Sequence, residues 1–311
     1  MEQSAAGQRA SRSITGGPTE HSAAGRSLPV RFVEAAGVRR IAGHMVRVTF
    51  GGADLADFRV EGPDQQIKLY FPRPGQSVPV LPAAGADGDF MRWYQAFQEI
   101  PEPRRPWMRS YTVRAHDTER GTIDIDFVLH AGADGPATRW ARTAAPGAVL
   151  GMFGPSAYFA TPVPIATTDW MLLVADESGL PALATIVEAL PKGARAVAYI
   201  EVNGPQDELA LESPGELTVH WLHRAPLRPG TGEVLVRAVR AAEFPPGSAH
   251  AWLAGEAGAV RAVRRQLVAE RGLPKRSVSF AGYWRHRLTQ DDAPTEADLA
   301  EARERAQGWA Q

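Results

Sequence analysis

Trp170 to Leu190 reads WMLLVADESGLPALATIVEAL, and its reading decides the fold. Trp170 to Ala175 is a continuous apolar run, the pattern of a strand buried on both faces; Leu180, Leu183, Ile186, Val187 and Leu190 follow at helical spacing. Gly179 and Pro181 permit the tight turn between them. Strand and helix patterns recur through Ala196–Val202, Leu217–Leu222, Val234–Val239, Ala249–Leu253, Val260–Leu267 and Val278–Trp284. This half of the chain therefore predicts an α/β domain on a parallel sheet.

Upstream the period changes to two. Val46, Val48 and Phe50 alternate with Arg47 and Thr49, and Ile67, Leu69 and Phe71 with Gln66, Lys68 and Tyr70. Ile123, Ile125, Phe127 and Leu129 alternate with Thr122, Asp124 and Asp126 in the same way. Such strands bury one face, and an antiparallel barrel closes them without exposed edges. A Pro- and Gly-rich stretch from Pro72 to Pro106, with Phe90, Trp93, Tyr94 and Phe97 clustered in it, reads as a long surface excursion carrying a short helix. ATPVPIATTD, Ala160 to Asp169, is the join, because Pro162 and Pro164 forbid regular pairing. The expected divisions are a disordered tail at 1–26, a barrel at 27–161, an α/β domain at 166–290 and a C-terminal helix or tail at 294–311, with Thr295 as its cap.

The 311 residues, 44% hydrophobic, suffice for two domains that each bury a core. Cysteine is absent, which removes disulfides, thiolate metal sites, a cysteine nucleophile and cysteine-ligated iron–sulfur clusters. The eight histidines show no metal-ligand spacing, and no metal site is expected. A net charge of −1 gives no overall pull toward nucleic acid or an anionic membrane. The first 26 residues are Ser, Gly and Ala rich and lack an apolar leader segment, and the longest apolar run is far too short to span a bilayer. The expectation is a cytoplasmic monomer without stable membrane association.

RSYTVR, Arg109 to Arg114, lies on a period-two strand. Alternation sends Arg109, Tyr111 and Val113 to one face and Ser110, Thr112 and Arg114 to the other, which offers phosphate-binding charge, an aromatic plane and a hydroxyl to one ligand. An ordinary exposed strand is the alternative. DFVLHAGADGPATRWA, Asp126 to Ala141, reads as a strand ending at His130, a glycine-containing turn and a helix opened by Pro136. Backbone amides of Gly135 to Thr138 then stand where a pyrophosphate can be held. A helix cap that satisfies only itself is the alternative, and His130 alone is more often structural than catalytic.

ADESGLPAL, Ala175 to Leu183, occupies the carboxyl end of the first parallel strand, where α/β sheets bind ligands. It lacks the GxGxxG fingerprint, and a plain helix start capped by Ser178 is its alternative. AWLAGE, Ala251 to Glu256, repeats the geometry, with Gly255 letting a ligand approach the backbone. Glu256 as an ordinary N-terminal helix charge is the alternative there.

RSYT, FVLH with GPATRWA, ADESGLPAL, AWLAGEAGAVRAVRR and GYWR occur in this order. Together they resemble the siderophore-interacting protein family, ferric-siderophore reductases within the ferredoxin-reductase-like superfamily, over about residues 28 to 288. The resemblance implies FAD in the barrel domain, with Arg109 on its phosphate, Tyr111 against the flavin and Thr112 near flavin N5. It assigns His130, Gly135, Pro136, Ala137 and Thr138 to the isoalloxazine and pyrophosphate side, and Ser110 and Trp140 join that set. It gives the turn with Asp176, Glu177, Ser178 and Gly179 to the nicotinamide nucleotide, with Gly255 and Glu256 nearby. Tyr283 and Trp284 are candidates to cover the flavin, one in the core and the other capping the sheet being the alternative.

The implied reaction passes hydride from NADH or NADPH to FAD and then single electrons to chelated Fe(III), freeing Fe(II), with no protein nucleophile. Asp207 and Glu208 would repel a 2′-phosphate if they line the ribose, whereas Arg224 could attract one. The reading leans to NADH and keeps NADPH open. Ferric siderophores are anionic, and Lys68, Arg285 and Arg287 are the cations expected to meet them. A general flavin oxidoreductase with another acceptor and a non-catalytic siderophore-binding protein are the competing readings.

Overall fold

The computed structural model describes residues 30–83, 88–129, 135–155, 163–289, 291–292, 295–300 and 303. The first half comprises β1 (Val30–Ala42), β2 (Met45–Gly51), β3 (Gln66–Phe71), α1 (Phe90–Glu99), β4 (Trp107–Thr112), β5 (Ala115–Asp117), β6 (Thr122–Val128), α2 (Pro136–Thr143) and β7 (Val149–Phe153). The seven strands are antiparallel, in the order β4-β3-β7-β1-β2-β6-β5. The sheet rolls on itself. Tyr111 on β4 and Phe127 on β6 lie near opposite ends of that order, yet their ring centroids are 4.6 Å apart. Past β4, the Val113 N–H donates to the Gln65 carbonyl and the Arg114 N–H to that of Asp124, which bridges the two ends.

The period-two residues fill the roll. Val48, Phe50, Ile67, Leu69, Ile123, Ile125 and Phe127 are all buried in one core, as the alternation requires. Each fully buried side chain of this size contributes about 1.5–3 kcal/mol of transfer free energy. Trp140 of α2 plugs the roll, its ring 5.5–5.9 Å from Phe50, Phe71 and Phe127. In the Pro- and Gly-rich excursion, Asp89 caps α1 by accepting from the N–H groups of Met91 and Arg92. The helix packs Trp93 and Phe97 against Tyr70 and Phe153.

The second half comprises β8 (Trp170–Asp176), α3 (Leu180–Glu188), β9 (Arg195–Val202), β10 (Glu216–His223), α4 (Glu233–Ala241), β11 (Ala249–Glu256), α5 (Ala257–Arg265) and β12 (Val278–Trp284). All pairs are parallel, in the order β10-β9-β8-β11-β12. Every residue of β8 is buried, which explains its unbroken apolar run. The winding reverses between β8 and β11, so the crevice at their carboxyl ends is the topological switch point where such sheets bind ligands.

The halves are keyed together at the β1–β2 hairpin and at Asp64, and the Arg114–Glu188 ion pair adds a further contact. In the β1–β2 hairpin, Met45 packs into the α/β core, the Gly43 N–H donates to the Gln206 carbonyl, and the His44 N–H donates to Asp207 at 2.6 Å. At the second key, the Asp64 carboxylate accepts from Tyr283 Oη at 2.6 Å and Trp252 Nε1 at 3.2 Å, while its N–H donates to Thr185 Oγ1. Asp207 thus faces the barrel half, buried. The expected tail at 1–26, Pro162 in the join and Pro294 at the start of the expected C-terminal segment lie outside the described residues.

Candidate active site

β4 presents the RSYT residues in alternation. Tyr111 packs against the barrel core, and burial raises its phenol above the ordinary value. Thr112 is buried at the strand end. On the opposite face, Lys68 Nζ of β3 donates to Ser110 Oγ at 2.5 Å, and desolvation lowers the Lys68 ammonium. Arg109 points its guanidinium at the C-terminal segment, where Asp291 accepts both N–H groups at 3.0 and 2.6 Å. A carboxylate in that fork shows that Arg109 offers the bidentate geometry a phosphate uses.

α2 supplies amides beside this strand. Pro136 occupies its first position, and the N-cap, Gly135, contributes no side-chain hydrogen bond. A Cβ on Gly135 would meet nothing within 4 Å among the described residues. Ala137 and Thr138 bury their side chains, leaving backbone donors as their polar offering. His130 lies outside the described residues. A helix N-terminus that starts at a glycine with no side-chain cap of its own, an arginine fork and an aromatic strand residue fit a flavin dinucleotide.

At the switch point the predicted residues converge on Asp176. Its Oδ2 accepts from the Glu256 N–H and from Trp284 Nε1, both at 2.8 Å, and its Oδ1 accepts from the N–H and hydroxyl of Ser178. Ser178 therefore braces Asp176, and α3 starts at Gly179 with no side-chain cap. Gly255, at φ 147°, is required for a different reason than ligand approach: a Cβ there would lie 2.8 Å from the Asp176 carboxylate. Glu256 caps α5 through the Ala259 N–H and accepts from the His286 N–H. Glu177 pairs with Arg224 in two hydrogen bonds of 2.9 and 3.1 Å, and Glu201 approaches the same guanidinium at 3.4 Å. Arg224 is 3% exposed, Asp207 faces His44, and Glu208 pairs with His223. The charges weighed for cofactor choice are thus committed to protein partners and do not discriminate NADH from NADPH.

Tyr283 and Trp284 go to different places. Tyr283 joins the Asp64 key, where burial first, and then the neighbouring carboxylate, raises its phenol well above the ordinary value. Trp284 braces Asp176. Arg285 is tied into the segment that follows, bonding Asp298 at 3.0 Å and the Thr289 and Asp292 carbonyls. Arg287 is exposed, with φ 64°. Lys68 and Arg109 therefore share the β3–β4 pair, while Arg285 and Arg287 follow β12. Sequence reading missed Asp64, Asp291 and Asp298, single aspartates outside any motif. Among the described residues no cluster of three or more metal-ligating side chains occurs, and no helix is long and apolar enough to cross a membrane.

A rolled antiparallel sheet followed by a five-stranded parallel sheet defines a two-domain flavin and nucleotide oxidoreductase fold. Residues 34–159 match the siderophore-interacting FAD-binding domain, and residues 168–287 match the siderophore-interacting protein family. The chain is 31% identical to the ferric vibriobactin reductase ViuB of Vibrio cholerae, over 82% of this chain and 89% of that one. It is 32% identical to the NADPH-dependent ferric-chelate reductase of Escherichia coli K12, over 79% and 89%. A siderophore utilization protein from T. fusca superposes with a TM-score of 0.73 at 38% identity, covering 86% of this chain and 98% of that one. The chain belongs to the siderophore-interacting protein family, and FAD is the cofactor of its first domain.

Proposed function

We propose that this protein is an NAD(P)H-dependent ferric-siderophore reductase. The observation that carries the reading is the likeness to ferric vibriobactin reductase across both domains, supported by the donor set on β4 and α2. Bound FAD would supply hydride acceptance from the nicotinamide and one-electron donation to chelated Fe(III), which hard oxygen donors hold more tightly than Fe(II). Arg109 and the first-turn amides of α2 hold the cofactor phosphates, Tyr111 and Thr112 line the ring, and the crevice between β8 and β11 takes the nicotinamide nucleotide. Lys68, with its ammonium partly desolvated, and Arg285 and Arg287 beyond β12 supply positive charge for an anionic chelate.

The domains are assigned to residues 27–161 and 166–290, and the protein works as a cytoplasmic monomer. The test is an Fe(II)-trapping assay with NADH or NADPH and a panel of ferric siderophores. Turnover above that of free FAD at equal concentration is expected with at least one chelate. Turnover no faster than free flavin rejects the proposal.

A further inference from the structure

Arg114 and both strands of the β1–β2 hairpin line a cavity of about 210 Å³ in the seam between the two halves. The flank of α3 and the connection from β9 to β10 give it an apolar wall, chiefly Leu180, Leu209 and Leu211. The barrel gives it charge, through Arg39 of β1, Arg47 of β2 and Arg114 past β4. Arg39 and Arg47 are register partners across the hairpin, and like charges directly opposite each other destabilise a strand pair. Arg47 is neutralised, since Asp126 accepts from its Nε and Nη2 at 2.6 and 2.8 Å. Arg114 is held by Glu188 in two hydrogen bonds. Arg39 has no such partner among the described residues and stands exposed at the rim. None of the residues placed on the flavin, the nicotinamide or the chelate lines this cavity.

We infer that this cavity is a binding site for a small carboxylate with an apolar body the size of one aromatic ring, and that the ligand joins the two domains. A cavity of roughly 150 Å³ lined by apolar side chains accepts benzene, so the space here admits a ring with a carboxylate attached. It is smaller than the roughly 300–1,000 Å³ of a site for a drug-sized ligand, which excludes a dinucleotide or a whole chelate. The carboxylate meets Arg39, the guanidinium left unmatched, in the fork geometry that arginine offers to carboxylates. The ring lies on Leu180, Leu209 and Leu211. A ligand held by the barrel at one end and by the α/β domain at the other stabilises their arrangement, because it binds the assembled seam and not the separated halves.

Benzoate is the probe, with benzyl alcohol as the uncharged control and acetate as the control without a ring. Calorimetric titration of the full-length, flavin-loaded protein is expected to show benzoate binding at millimolar concentration and weaker binding of both controls. The melting temperature is expected to rise with benzoate concentration. Arg39→Ala removes the barrel's grip and is expected to weaken benzoate binding at least roughly tenfold, the low end for a charge-assisted hydrogen bond. Ala210→Leu fills the cavity from the α/β side and is expected to abolish binding. Both positions are exposed, so both variants keep the wild-type melting temperature without ligand. Wild-type affinity in either variant overturns a site shared by the two domains. No benzoate binding at millimolar concentration, or binding of benzyl alcohol or acetate as tight as that of benzoate, overturns the ligand class.

Discussion

Asp64 has φ 58° and places a carboxylate where three side chains from two domains meet it. Burial raises its carboxyl above the ordinary value, against the opposing pull of hydrogen bonds from Tyr283, Trp252 and Gln66. The folded state therefore holds this proton more tightly than the unfolded chain. Its contribution to stability is complete below the ordinary carboxyl range and is lost as pH rises through the raised value. Denaturant unfolding across that window should show the stability of wild type falling relative to Asp64→Asn; a difference flat in pH contradicts a raised carboxyl. Asp64→Ala leaves the Trp252 N–H and Tyr283 O–H unpaired, at about 1–3 kcal/mol for each. Arg109 is a simpler case. A charge-assisted phosphate contact is worth about 1.5–3 kcal/mol, so Arg109→Ala should weaken FAD binding roughly 10- to 150-fold, measured by flavin titration of the apoprotein. The strand position of Arg109 was legible because RSYT alternates along β4. Asp64 was not, because its importance comes from partners 188 and 219 positions away.

At the scale of elements, periodicity carried most of the fold, since each strand and helix buries a face that its own sequence repeats. Elements held by polar groups were less legible. The segment after β12 is Ala-rich and charged, and its sequence reads as a helix or tail capped by Thr295; among the described residues Thr295 and Asp298 cap each other, and Asp298 also binds Arg285 and Arg261, which the sequence did not point to. Against the upward push of partial burial, the bonds from Thr295 and Arg285 hold Asp298 down at about 2. This latch is present above the ordinary carboxyl range and is lost as pH falls through about 2. The same segment places Asp291 on Arg109, in the fork proposed for a flavin phosphate. Asp291→Asn removes that competitor. An exposed ion pair is worth about 0–1 kcal/mol, so FAD should bind up to roughly fivefold more tightly in this variant, and the gain should shrink at high salt. Unchanged affinity at low salt would show that Asp291 does not compete.

For the whole molecule, the proposed reaction takes electrons from the β8–β11 crevice to the face of β4, and it requires the two domains to keep one arrangement. Domains of one chain move relative to each other unless their interface is large and apolar. Met45 meets that need from an unexpected place: it sits on a barrel strand yet is 3% exposed within the α/β core. Gly43 lets the hairpin approach, because a Cβ there would lie 2.6 Å from Gln206 Cγ and 2.8 Å from the Asp207 carboxylate. Met45→Ala removes the apolar anchor and leaves the backbone bonds of the hairpin, at a cost of about 2–5 kcal/mol by the usual range for buried methionine truncation. That loss falls on the α/β core at the point where the barrel hairpin enters it. Scanning calorimetry should therefore show one transition in wild type and two separated transitions in Met45→Ala. Flavin affinity should stay near the wild-type value, since Arg109, Tyr111 and α2 all belong to the barrel half, while ferric reduction by NAD(P)H should fall. Two transitions already present in wild type would mean that the hairpin does not couple the domains.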